Sequence, residues 1–152
     1  MSKKVYLAVP FSGIEPMSYA WVNEAASFLI GQGLFVFSPI SHGYPISKAG
    51  VMGHSQDTWM ALDEQFVNWA DELYVLVLAG DGTAAWGYDK IKNSSGVQQE
   101  ISWAKAQNKP ITYVLYNSKS RTLEVLPAPD DSLVIAPAAT SASTTQTSTT
   151  TS

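Results

Sequence analysis

Apolar residues along this chain alternate between two spacings. Val5-Tyr6-Leu7-Ala8-Val9 is a short continuous apolar run closed by Pro10, which predicts a strand. From Met17 to Ile30, Tyr19, Val22, Ala26 and Leu29 recur at helical spacing, and Gly31 and Gly33 end the pattern. Leu34-Phe35-Val36-Phe37 predicts a second strand, closed by Ser38-Pro39. Residues 39–56 hold turn formers without periodicity and predict a long loop. Thr58 to Ala70 predicts a helix, Leu73 to Leu78 a buried strand, and Ala79 to Asn93 a second long loop. Gly96 to Gln107 predicts a helix and Ile111 to Tyr116 a strand, with a further short strand at Ser132 to Ala136.

This alternation predicts an α/β unit, a parallel sheet with helices on both faces. The nearly continuous apolar strands suit a sheet buried on both sides. In such folds ligands bind beyond the carboxyl ends of the strands. Three loops collect there: Pro10–Pro16, Pro39–Gln56 and Ala79–Ser95. Neither the Gly-x-Gly-x-x-Gly fingerprint nor the phosphate-loop Gly-Lys-Ser/Thr occurs, which disfavours dinucleotide and ATP binding by those routes.

Composition sharpens the picture. A chain of 152 residues predicts one domain, placed at residues 1–136. Residues 137–152 are almost all Ser, Thr and Ala, too poor in apolar area to offset their ordering entropy, and are expected to form a disordered tail. The chain has 14% charged residues, a net charge of −4 and a single arginine, Arg121, which argues against a nucleic-acid polymer as partner. Without cysteine there is no disulfide or thiolate chemistry. No apolar run approaches the ~20 residues of a bilayer span, and the N-terminus lacks a secretory stretch, so the expectation is a soluble cytoplasmic protein without a membrane partner.

Two acids stand out. On a wheel of about 100° per residue, Asp63 falls inside the arc of Trp59, Leu62, Phe66, Val67 and Ala70, while Glu64 and Asn68 fall outside it. A carboxylate in an apolar stripe is costly unless paired or protonated, and such perturbed groups concentrate at active sites. The alternative is that Asp63 hydrogen-bonds a neighbouring loop. Glu100 lies one turn beyond a capping box, Ser95-x-x-Gln98, with Ser95 as expected N-cap. Gly96 and Glu100 share the face beside the Val97, Ile101, Ala104 stripe. On these residues alone the better reading of Glu100, by a small margin, is an ordinary surface acid near a helix start, where the dipole favours it. His42 and His54 share one loop with Asp57, but a zinc site needs a further ligand and tighter spacing; no metal is expected. Among the aromatics, Trp86, in a loop, and Trp59, at a helix start, are the candidates for contact with a ligand.

The chain resembles the nucleoside 2-deoxyribosyltransferase superfamily, which includes the 2'-deoxynucleoside 5'-monophosphate N-glycosidases, and is most similar to its small phage and bacterial members. The marks, over roughly residues 4–116, are Val5-Tyr6-Leu7-Ala8 with Pro10-Phe11, then Phe37-Ser38-Pro39-Ile40. Asp63 follows, with Ala70-Asp71 and Tyr74-Val75-Leu76, and last Ser94-x-Gly96-x-x-x-Glu100 with Ala104 and Lys109-Pro110-Ile111. The resemblance implies a flavodoxin-like, Rossmann-like three-layer sandwich with a mostly parallel sheet of about five strands, assembled as a homodimer or larger. It implies that Glu100 is the nucleophile and that Asp63 assists it. Relatives carry Gly at the position of Val9, and phosphate-binding relatives carry Arg where this chain has Phe11-Ser12-Gly13. Ser12, Ser94 and helix amides would then be the anion donors, weaker than an Arg fork.

The function expected on these grounds is cleavage or transfer at the N-glycosidic bond of a (2'-deoxy)nucleoside or its 5'-monophosphate, without a cofactor. Glu100 would attack the anomeric carbon, Asp63 would act as acid and base, and Tyr6 would orient Glu100. Pro10, Phe11, Ser12, Trp59, Trp86, Ser94, Ser95 and Gly96 would bind the substrate. The alternative is a nucleotide-binding or sensing protein of the same fold without turnover; a third reading, an interaction domain displayed through its Ser/Thr tail, has only the tail to support it.

Overall fold

A computed structural model describes residues 2–79, 83–127 and 129. Ten elements follow one another: β1 (Lys4–Ala8), α1 (Glu15–Gly31), β2 (Phe35–Phe37), α2 (Pro39–Ala49), α3 (Gln56–Trp69), β3 (Glu72–Val77), α4 (Ala84–Lys92), α5 (Ser95–Ala106), β4 (Ile111–Asn117) and β5 (Thr122–Leu126). The strands form one sheet in the order β2-β1-β3-β4-β5. All pairs are parallel except β4 with β5. From β1 the chain moves outward to β2 and then crosses back to β3, so the order reverses between β1 and β3, where open α/β sheets bind ligands.

The pleat divides the core. Tyr6 and Ala8 of β1 face Val67 within α3 and Ala70 just after it, and Val97, Ile101 and Ala104 of α5. Leu7 and Val9 face Val22, Ala25, Ala26 and Leu29 of α1. This is the α/β three-layer arrangement that the alternation of patterns predicts.

Two expectations are corrected, and one strand is added. Residues 39–49 form helix α2 rather than loop, capped by Ser38, whose hydroxyl accepts from the Ser41 amide at 3.1 Å. Gly43 and Pro45 inside it are poor helix formers and hide it from a reading by periodicity. Residues 84–92 form α4, again within a stretch expected as loop. A strand at 122–126 was not foreseen: its burial is that of an exposed edge, with only Leu123 and Leu126 partly covered, and it returns antiparallel after a turn in which Arg121 has a φ of 57°. The strand expected at 132–136 and the tail at 137–152 lie outside the described residues.

Candidate active site

The turn after β1 starts the site. Pro10 is buried, and its carbonyl accepts from the buried Ser18 hydroxyl at 2.5 Å, tying the turn to α1. Gly13, at a φ of 85°, lets the chain reverse, and its amide donates to Glu15 Oε2 at 2.9 Å. From this turn a cavity of about 540 Å³ opens beyond the end of β1, within the size range of small-molecule sites.

Two helices close its sides. In α2, Pro39, Ile40, Gly43, Tyr44 and Ser47 face it, a helical spacing carried by small and polar residues. In α3, Gln56, Trp59, Met60 and Asp63 face it, again at helical spacing. Ser55 caps that helix, its hydroxyl accepting from the Thr58 amide at 3.2 Å. The indole of Trp59 lies against Gly43, where an added Cβ would come within 3.3 Å of the ring. Phe11 and Tyr44 meet edge to face at 5.1 Å, so aromatic surface lines one part of the cavity.

The remaining wall is the start of α5. Ser94, not Ser95, is the N-cap: its hydroxyl accepts from the Val97 amide at 3.2 Å. With Ser94 as N-cap, the third helical residue is Val97 rather than Gln98, and the Gln98 side-chain amide donates to the Ile91 carbonyl at 3.0 Å. The buried residues of α5 are Val97, Glu100, Ile101 and Ala104, so Glu100 belongs to the apolar stripe itself rather than to the face beside it. That signal, spacing of three, four and seven, stands in the sequence. The buried-acid argument fits Glu100, at 5% exposure, better than the partly buried Asp63.

The electrostatics follow from burial. Loss of water, opposed by a hydrogen bond from the Tyr6 hydroxyl and aided by the neighbouring Asp63, leaves the Glu100 carboxyl raised to about 8. Burial pushes Asp63 up to about 6. The Tyr6 phenol, wholly buried, is held well above its ordinary value by burial and by both carboxyls. Two carboxyls facing one cavity thus titrate on either side of neutrality, with a phenol bonded to the deeper one.

Of the residues expected at the site, Glu100, Asp63, Pro10, Phe11, Ser12, Trp59, Ser94, Ser95 and Gly96 line the cavity, and Tyr6 reaches it through Glu100. Trp86 does not line it. Helix α4 turns its indole onto the cluster shared with α1, and Lys90, one turn on, lines the cavity with its ammonium 5.1 Å from the indole centroid. Glu15, Tyr44, Gln56, Met60, Lys90 and Asn93 line it without having been singled out; most stand on stretches read as loop or at helix edges, where no periodicity marks them. His42 packs beside Phe37 and Phe66, and His54 meets the edge of Trp59. Among the described residues no group of three or more His, Asp or Glu side chains is gathered for a metal. Nor is any helix there long and apolar enough to cross a membrane.

Residues 3–116 match the model of a family described as a domain of unknown function, DUF1937. No curated protein matches. Among solved structures, the chain is similar to a 2-deoxyribosyltransferase from Leishmania mexicana, at 13% identity and a TM-score of 0.51 over 76% of this chain. It spans 65% of the length of that structure, and the likeness is one of fold. A 2-deoxyribosyltransferase from the psychrotolerant bacterium Bacillus psychrosaccharolyticus is 20% identical, with a TM-score of 0.40 over 74% of this chain and 72% of the other.

Proposed function

The chain belongs to the DUF1937 family, and from that premise we propose that it is an enzyme cleaving the N-glycosidic bond of a (2'-deoxy)nucleoside or nucleoside 5'-monophosphate. The observation that carries this reading is the buried Glu100 carboxyl, bonded by Tyr6 and facing Asp63 across one cavity. A structural core gains little from two clustered carboxyls, since each is costly to desolvate.

In the proposed reaction Glu100 attacks the anomeric carbon as its bond to the base nitrogen breaks. The bonding pair leaves with the base, and protonated Asp63 supplies the proton that the base needs. A glycosyl ester on Glu100 results, reached through an oxocarbenium-like transition state. Water then attacks the same carbon, Asp63 takes its proton, and Glu100 leaves; a second base in place of water makes the protein a transferase. Tyr6 holds Glu100 in place and stabilises its charge. The aromatic surface of Phe11, Tyr44 and Trp59 offers the base a stacking surface.

The test is chromatography of free base after incubation with nucleosides and their monophosphates. Glu100→Gln is expected to lower turnover by three orders of magnitude or more with binding retained, because a nucleophile acts chiefly in the transition state. Near-normal turnover in that variant removes Glu100 from the role. Tight binding by the wild type without release of base replaces the enzyme with a sensor. The same reading makes the protein a homodimer or larger. Ile46, Val51 and Met52, exposed around the end of α2, offer apolar surface for it, and light scattering that returns a monomer mass would refute the assembly.

A further inference from the structure

We infer that the cavity selects an uncharged nucleoside over its 5'-monophosphate, with Glu15 as a specificity-determining residue. This inference rests on the reading just given and narrows its substrate class.

The argument begins with charge. Three acids, Glu15, Asp63 and Glu100, face the cavity, and Lys90 is the one basic residue among the described residues that line it. The Lys90 ammonium lies over the ring of Trp86, which is outside the cavity, and so is partly engaged already. Two backbone donors beside the cavity are also engaged by the chain itself. The Gly13 amide, in the turn beside the cavity, donates to Glu15 Oε2 at 2.9 Å. The Val97 amide, in the first turn of α5, donates to Ser94 Oγ at 3.2 Å. At both places the chain's own oxygen sits where an anion would accept.

Glu15 has a second consequence. Its bonds from the Gly13 amide and from its own amide hold its carboxyl below the usual carboxylate range, so it is charged throughout the neutral range. A fixed carboxylate accepts from a ligand hydroxyl and repels a phosphate dianion, which has no proton to give. A sugar bearing free hydroxyls satisfies this wall, whereas a phosphate at the same wall would face the Glu15 carboxylate.

The experiment is titration calorimetry of wild type and Glu100→Gln with the four 2'-deoxynucleosides and the matching 5'-monophosphates, alongside release of base by wild type. For the preferred base, the nucleoside is expected to bind about tenfold or more tightly than its monophosphate. Glu15→Gln, whose amide oxygen can still accept from Gly13, is expected to narrow that ratio severalfold, and the narrowing should shrink as salt is raised. Equal or tighter binding of the monophosphate by the wild type overturns the inference and leaves the glycosidase reading standing. An unchanged ratio in Glu15→Gln removes Glu15 from the role. Nucleoside binding without release of base supports the selectivity while the catalytic reading falls. Binding of neither ligand overturns both.

Discussion

At the residue scale the proposed chemistry turns on one proton shared by two carboxyls. Glu100, at about 8, and Asp63, at about 6, bracket a range in which the pair holds one proton between them. The higher value belongs to Glu100, so the proton rests chiefly there; the proposed first step runs through the minor tautomer of the same one-proton state, with Glu100 ionised and Asp63 protonated. Below about 6 the second proton blocks the nucleophile, and above about 8 the acid is lost. The dependence of kcat/KM on pH is therefore expected to be a bell with limbs near those values. In Asp63→Asn the alkaline limb should vanish. The remaining limb should rise with pH and lie below 8, because the neighbouring charge that raises Glu100 is gone. A profile in Asp63→Asn with the same two limbs would show that the pair is not what titrates. Both acids could be found in the sequence, Asp63 by its place in an apolar arc and Glu100 by the resemblance. The depth of Glu100 could have been found by spacing as well. What no spacing could reveal was Glu15, whose contact with Gly13 depends on a left-handed glycine in a short turn.

At the scale of elements, the cavity is walled by helices that carry function on the face where a core helix carries apolar residues. In α2 the cavity face is Pro39, Ile40, Gly43, Tyr44 and Ser47. The helical period is there, but in residue types that signal turns, so reading for apolar periodicity passes over it. Helix α4 is hidden for a related reason. Its Gly87 lies so close to the end of β3 that a Cβ would fall 2.0 Å from the Leu78 carbonyl oxygen, closer than any side chain can approach a backbone. A glycine in mid-helix lowers propensity by ~1 kcal/mol, and here it permits the contact. Gly87→Ala is accordingly expected to destabilise the protein by ~1–3 kcal/mol in denaturant unfolding, despite the better helix former, because α4 must shift outward. Lys90, one turn on, would move with it. A variant as stable as wild type would mean that α4 is free to adjust. The edge strand β5 was missed on opposite grounds: with three of its five residues exposed, it shows too little apolar pattern to mark a strand.

At the scale of the molecule, the same burial that prepares Glu100 for chemistry weakens the fold. The alternating patterns made the α/β layers legible because both sheet faces are covered and the strands must be apolar. The cavity was legible only as a place, beyond the strand ends. Burying a carboxyl there has a measurable consequence. Below about 4.5, the ordinary value, Glu100 is protonated folded or unfolded and contributes no difference. Between about 4.5 and about 8 the unfolded chain releases the proton while the folded chain keeps it, so stability falls as pH rises. Above about 8 the folded chain carries a buried charge and the loss is complete. At ~1.4 kcal/mol per pKa unit its ceiling is on the order of 5 kcal/mol, reduced by whatever water recovers. Glu100→Gln removes this titration while its amide oxygen can still accept from Tyr6. The variant's stability relative to wild type should therefore be small or slightly negative at pH 5 and favourable by ~2 kcal/mol or more at pH 9, read from paired urea unfolding curves. A difference that stays constant between those pH values would mean that Glu100 titrates like an exposed acid. The bell's alkaline limb would then fall from about 8 towards the Asp63 value, and the proposed nucleophile would lose its buried setting.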